Sequence, residues 1–156
     1  RIFTGAEKVM LTEINNSTPR DFARRKQWLQ GILDEAVDKR NSKLADMNLN
    51  SKATALMLEA MKLFCSGHWV SSIIMSQATI DAALWDDKGL KGIDTNKLKT
   101  SAEYVWLRNK RNSILHSMPD VTPITLHDFD TDDDMLARDA KKAVLLTIQG
   151  LASFLY

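Results

Sequence analysis

Apolar residues recur every three or four positions along most of this chain, the period of a helix with one buried face. Thr18 as N-cap and Pro19 at the first helical position open a segment predicted to run to about Lys39. Phe22, Leu29, Leu33 and Val37 keep its period, and Trp28, Ile32 and Ala36 widen the stripe. A shorter helix is expected before it, from Glu7 to Ile14. A polar link from Asn41 to Asn50 follows, and Asn50 or Ser51 then caps a helix through Leu56, Met57, Ala60, Leu63 and Phe64. Gly67 interrupts the pattern. Trp69 to Asp87 is the most apolar stretch, and its narrow polar face marks a central helix covered by several neighbours. Gly89-Leu90-Lys91-Gly92 ends it. A further helix is predicted from Asp94 or Thr95 to Pro119, with Tyr104, Leu107, Ile114, Leu115 and Met118 in period. Pro119 to Asp134 reads as loop, and Leu136, Ala140, Val144, Ile148, Leu151 and Leu155 carry a last helix. The expected fold is all-α, a bundle of four to five main helices.

Composition narrows the picture further. The 156 residues are enough for one ordinary domain, and 44% hydrophobic with 26% charged residues is globular composition. Within it, residues 1–49 read as an N-terminal helical extension and 50–156 as the bundle proper. The single cysteine, Cys65, excludes a disulfide framework within the chain and points to a reducing, cytoplasmic setting. No apolar run is long enough to span a membrane, and no secretory leader opens the chain. The chain starts at Arg1, as expected of a piece of a longer protein. With 21 basic and 20 acidic residues the net charge of +1 names no partner, so only local clustering is informative.

Such clustering occurs in Leu107-Arg108-Asn109-Lys110-Arg111-Asn112-Ser113-Ile114-Leu115-His116, which joins three cations, two amides and a histidine. Arginine offers a planar fork to phosphate oxygens and stays charged, and histidine moves protons near neutrality. Together they suffice for metal-free cleavage of RNA. A base takes the 2′-hydroxyl proton, an acid protonates the leaving 5′-oxygen, and a cation steadies the charge on phosphorus. One histidine serves both sides of the phosphorus poorly, whereas two copies related by a two-fold axis supply one each. At about 100° per residue, Asn112 and His116 share a helix face, Arg111 lies about 140° round from His116, and Arg108 about 80°. Either Arg111 curls round, the helix is distorted, or Arg108 contributes. On spacing alone, a cluster of cations on a helix is more often a solvated face.

The segment from Arg111 to His116 resembles the signature of the HEPN superfamily, an Arg followed by a polar residue, often Asn, and a His four to six positions beyond the Arg. Leu107 to Lys110 is also typical of that family. Met61 to Lys88 is similar to its earlier helices, with Gly67 and Trp69 preceding a helix rich in small residues, and the closing helix fits. The likeness covers about residues 50–156. It implies a helical bundle that forms a homodimer, paired Arg/His motifs facing a cleft between protomers, and no cofactor. Many members are metal-independent endoribonucleases that leave a 2′,3′-cyclic phosphate and a 5′-hydroxyl, often in toxin–antitoxin or defence systems. Carried onto this chain, Arg111 holds phosphate, His116 does acid/base work and Asn112 orients the site. Asp81 holds Arg111 or His116 by a hydrogen bond, where the family usually has the longer Glu. Inactive members act as RNA-binding or protein-interaction modules inside larger proteins. An antitoxin or a nucleotidyltransferase-type protein is the partner so implied. A purely structural scaffold is the third expectation.

From Lys88 to Arg111 seven basic residues face only Asp94 and Glu103, a local charge of +5. Lys97, Lys99, Arg108 and Lys110 are accordingly candidate RNA contacts, against the plain reading of exposed lysines. Arg20, Arg24, Arg25 and Lys26 form a second cluster, read first as a solvated face. Asp128, Asp130 and Asp132 match calcium-loop positions one, three and five, but Asp133 stands where Gly is required and Asp139 where Glu is. Asp132 to Asp134 read better as a cap on the last helix, or as an acidic segment competing with RNA for the basic cleft. Cys65-x-x-His68 lacks the second pair a zinc site needs. Trp69, Trp85 and Trp106 suit core or interface at this spacing, with base stacking as the alternative.

Overall fold

A computed structural model describes residues 17–38, 49–85, 95–116, 124 and 133–153. Among them six helices form: α1 Pro19–Asp38, α2 Ser51–Cys65, α3 Trp69–Trp85, α4 Thr95–Thr100, α5 Ala102–Leu115 and α6 Asp133–Ser153. The expected Glu7–Ile14 helix, the Asn41–Asn50 link up to residue 48 and the acidic run at 128–132 lie outside the described residues.

The chain marks its own helix ends. The Thr18 hydroxyl accepts the Asp21 N–H at 3.1 Å, which starts α1. Asn50 starts α2: its side-chain carbonyl accepts the Ala53 N–H at 2.8 Å, while its amide donates to the Ala82 carbonyl at 2.8 Å. That second bond ties the start of α2 to the end of α3, so the two helices form an antiparallel hairpin. At the other end Gly67 adopts φ +78°, a conformation that favours glycine. The Gly67 N–H donates to Phe64 at 3.1 Å and the His68 N–H to Leu63 at 2.9 Å, the two bonds of a Schellman cap. The His68 carbonyl then accepts the Ser72 N–H at 2.9 Å and opens α3.

Helix α3 is the central element, packed against α2, α6 and α5. Small residues let its neighbours approach: Ser72, Ser76, Thr79 and Ala83 are all fully or almost fully buried. Their hydroxyls are satisfied. Ser72 donates to the Ala60 carbonyl of α2 at 3.1 Å, and Ser76 and Thr79 donate back along α3 at 2.8 and 2.7 Å. Ile73, Ile80, Leu107, Val144, Ile148 and Leu151 fill the centre. Helix α1 packs on α2 and α6, with Leu29 in the core. Leu29 of α1, within the segment read from sequence as an extension, therefore shares the core of the other helices.

Three sequence expectations change. The segment from Thr95 onward is two helices. Ser101 is extended at φ −67°, ψ 148° and separates α4 from α5, although its hydroxyl makes no capping hydrogen bond. Helix α5 stops at Leu115, short of Pro119, and His116 is extended at φ −132°, ψ 143°. Phe22 and Leu115, assigned to buried stripes, are 37% and 48% exposed, since each sits at a helix end that the bundle does not cover. Among the described residues no helix is long and apolar enough to cross a membrane.

Candidate active site

Helices α3 and α5 place Asp81 and Arg111 side by side. Arg111 Nη2 lies 3.9 Å from Asp81 Oδ2, close enough for an ion pair and too far for a hydrogen bond. The carboxylate is oriented from its own helix: the Gln77 amide donates to Asp81 Oδ1 at 2.8 Å, across one helical turn. Gln77 is buried, Arg111 partly covered and Asp81 half-exposed. Among the described residues, Arg111 Nε and Gln77 Oε1 are buried without a hydrogen-bond partner. Such atoms are uncommon in folded proteins, and two of them fall in one small network. Arg111 thus stands with its Nε buried and its Nη2 beside the Asp81 carboxylate.

The rest of the motif is arranged differently. Asn112 is half-buried, and its carbonyl accepts the His116 N–H at 2.9 Å, the last bond of α5. His116 is exposed and lies past the helix end. Its side chain is therefore not placed by the 100° spacing that put it on the Asn112 face. Arg111 and His116 make no contact with each other among the described interactions.

The expected RNA contacts divide into anchored and surface residues. Lys110 Nζ pairs with Asp139 Oδ2 of α6 at 2.7 Å, both side chains three-quarters buried. Arg108 donates to the Lys99 carbonyl at 3.0 Å and so closes the α4–α5 corner. Lys97 and Lys99 project from exposed positions on α4. Trp106 carries the Lys142 ammonium 3.9 Å from its ring, Trp69 is buried, and Trp85 is 92% exposed.

Sequence reasoning missed three participants. Gln77 was discoverable, being four residues before Asp81 on one helix. Asp139 and Arg25 act across long separations. Arg25 Nη1 donates to the Cys65 carbonyl at 3.0 Å and to Ser17 Oγ at 2.9 Å, and its guanidinium lies 4.7 Å from the Trp69 ring centre. It closes the α2–α3 corner with a cation at the negative end of α2. Burial raises the pKa of the neighbouring Cys65 thiol, against the opposing pull of Arg25 and Lys26. Among the described residues no group of three or more His, Cys, Asp or Glu could hold a metal ion.

The fold defines the class of protein: an all-α helical bundle. Beyond that class, the chain matches no family model, no curated protein and no solved structure.

Proposed function

We propose that this chain is a metal-independent endoribonuclease of HEPN type, acting as a homodimer with Arg111 and His116 at a site shared between protomers. The observation that carries the reading is the Gln77–Asp81–Arg111 network. A partly exposed arginine is held near a half-exposed carboxylate that a buried glutamine orients. On the same helix faces, one turn further on, stand the exposed Trp85 and Leu115. In this reading a second copy packs against these exposed apolar side chains.

In this reading Arg111 binds the phosphate oxygens. One His116 imidazole takes the 2′-hydroxyl proton as the 2′-oxygen attacks phosphorus. The bond to the 5′-oxygen breaks, and the partner's His116 returns a proton to it. The products are a 2′,3′-cyclic phosphate and a 5′-hydroxyl. Lys97 and Lys99 extend the backbone contact. Pairing of Lys110 with Asp139 and of Arg111 with Asp81 withdraws positive charge from the motif. That favours, as the second reading, an inactive module that binds RNA or a protein partner.

The test is RNA cleavage in EDTA. His116→Ala and Arg111→Ala are each expected to slow it by at least about 100-fold with helicity unchanged. Asp81→Asn is expected to slow it less. RNA binding without cleavage in every form supports the module reading. Cleavage that survives His116→Ala overturns the site.

A further inference from the structure

Gln77 is out of character with its surroundings. It lies on α3 between the fully buried Ile73 and Ile80 and is only 4% exposed. An amide placed there costs free energy unless both of its ends find partners. One end does. A carboxylate accepts hydrogen bonds, so the atom 2.8 Å from Asp81 Oδ1 is the amide nitrogen, Nε2, and the orientation of the amide follows. The other end, Oε1, is therefore turned away from the carboxylate, and it is buried with no hydrogen-bond partner.

Across the contact between α3 and α5, Arg111 has the complementary need. Nε and Nη2 lie side by side on one edge of its planar guanidinium. Nη2 stands 3.9 Å from Asp81 Oδ2, and Nε is a buried donor without an acceptor. Gln77 and Asp81 stand one turn apart on the same face of α3. Asp81 alone fixes the guanidinium poorly. The gap exceeds hydrogen-bond distance by about 1 Å, and a single oxygen leaves a planar group free to pivot. We infer that Gln77 is a positioning residue for Arg111: its Nε2 aims the Asp81 carboxylate, and its carbonyl accepts the Arg111 Nε–H as the guanidinium closes on α3. Acceptors on both Nε and Nη2 fix the guanidinium plane and leave the donors of the opposite edge for a phosphate. The same closure satisfies both buried atoms. The consequence for cleavage rests on the ribonuclease reading, whereas the hold on Arg111 does not.

The experiment combines nuclear magnetic resonance of the arginine Nε–H groups with a double-mutant cycle in RNA cleavage, both on the full chain. The Arg111 signal is assigned by its loss in Arg111→Lys. In the parent it is expected to exchange with water at least about tenfold more slowly than that of the exposed Arg20. Gln77→Met keeps the reach of the side chain and removes both polar ends. It is expected to abolish that protection and to slow cleavage about tenfold. Gln77→Glu keeps an acceptor for Nε and is expected to retain the protection, which a merely structural amide would not require. Asp81→Ala leaves Gln77 no carboxylate to aim, so a further loss of at least about threefold on adding Gln77→Met reports the direct hold. An Arg111 signal as labile as that of Arg20 in the parent, or unmoved by Gln77→Met, overturns the inference. So does a chain that cleaves RNA and loses nothing further in the Asp81→Ala background. A parent that cleaves no RNA, with an Arg111 signal protected and then freed by Gln77→Met, contradicts the ribonuclease reading and supports the hold. A parent that cleaves, with Gln77→Met equally fast, overturns the positioning role and leaves that reading in place.

Discussion

Gly150 and Gly31 show how one residue type answers to different surroundings. Both lie inside helices, where alanine is favoured by about 1 kcal/mol. A Cβ at Gly31 meets nothing within 4 Å, whereas one at Gly150 would collide with the Tyr104 hydroxyl and come within 2.9 Å of its Cζ. Gly31→Ala is therefore expected to raise stability by up to about 1 kcal/mol. Gly150→Ala is expected to lower it by about 1–3 kcal/mol, the cost of overpacking. Urea denaturation of the two variants reads the difference. Tyr104 itself is buried and donates to the Leu146 carbonyl at 3.2 Å. Burial first, and Glu103 second, push its pKa up to about 12. The folded state holds this proton more tightly than the unfolded chain, whose tyrosine titrates near 10. The Tyr104 contribution is thus fully present below about pH 10 and lost as pH rises towards 12. Tyr104→Phe is expected to flatten that part of the stability profile.

At the scale of elements, stability rests on how helix ends are closed, and these ends differ in how legible they were. Thr18-Pro19 and Asn50 announce their helices locally, because the capping side chain and the amide it satisfies are three residues apart. Gly67 was equally readable as an interruption. The break at Ser101 was hidden inside a continuous apolar period, since only one residue leaves the helical region there. Arg25 was read with its basic neighbours as a solvated face. Its acceptor on Cys65 lies 40 residues away, and nothing local links the two. Its role gives a sharp expectation. Arg25→Ala removes a charge-assisted bond and a cation on Trp69, at a cost of about 1.5–3 kcal/mol. Lysine should recover only part of this, because an ammonium can donate to the two oxygens that Arg25 Nη1 holds but has no planar group to set against the indole. Thermal melts of Arg25→Ala and Arg25→Lys check both points.

For the whole molecule, the all-α architecture was legible from periodicity, and the candidate site only in part. Asp81 and Arg111 are separated by 30 positions and meet because α5 packs against α3. The spacing argument for His116 failed because α5 ends one residue before it. Lys110, grouped with the RNA contacts, is drawn inward by Asp139 on a helix whose placement sequence does not give. What the assembled bundle leaves uncovered is equally informative. Trp85 and Leu115 stand exposed on the faces that carry Asp81 and Arg111. Under the proposed function this surface is the two-fold interface. Trp85→Glu is expected to convert a sedimenting dimer to a monomer and to abolish cleavage together with it. A chain that sediments as a monomer at every concentration would contradict the shared site.

The central claim is that the Arg111 and His116 side chains of two copies act on one phosphate. It is tested most directly by mass analysis of RNA ends after incubation in EDTA with the parent chain and with His116→Ala. The expected products are 2′,3′-cyclic phosphate and 5′-hydroxyl ends, from the parent alone. Ends of any other kind, or the same ends in equal yield from His116→Ala, would contradict it.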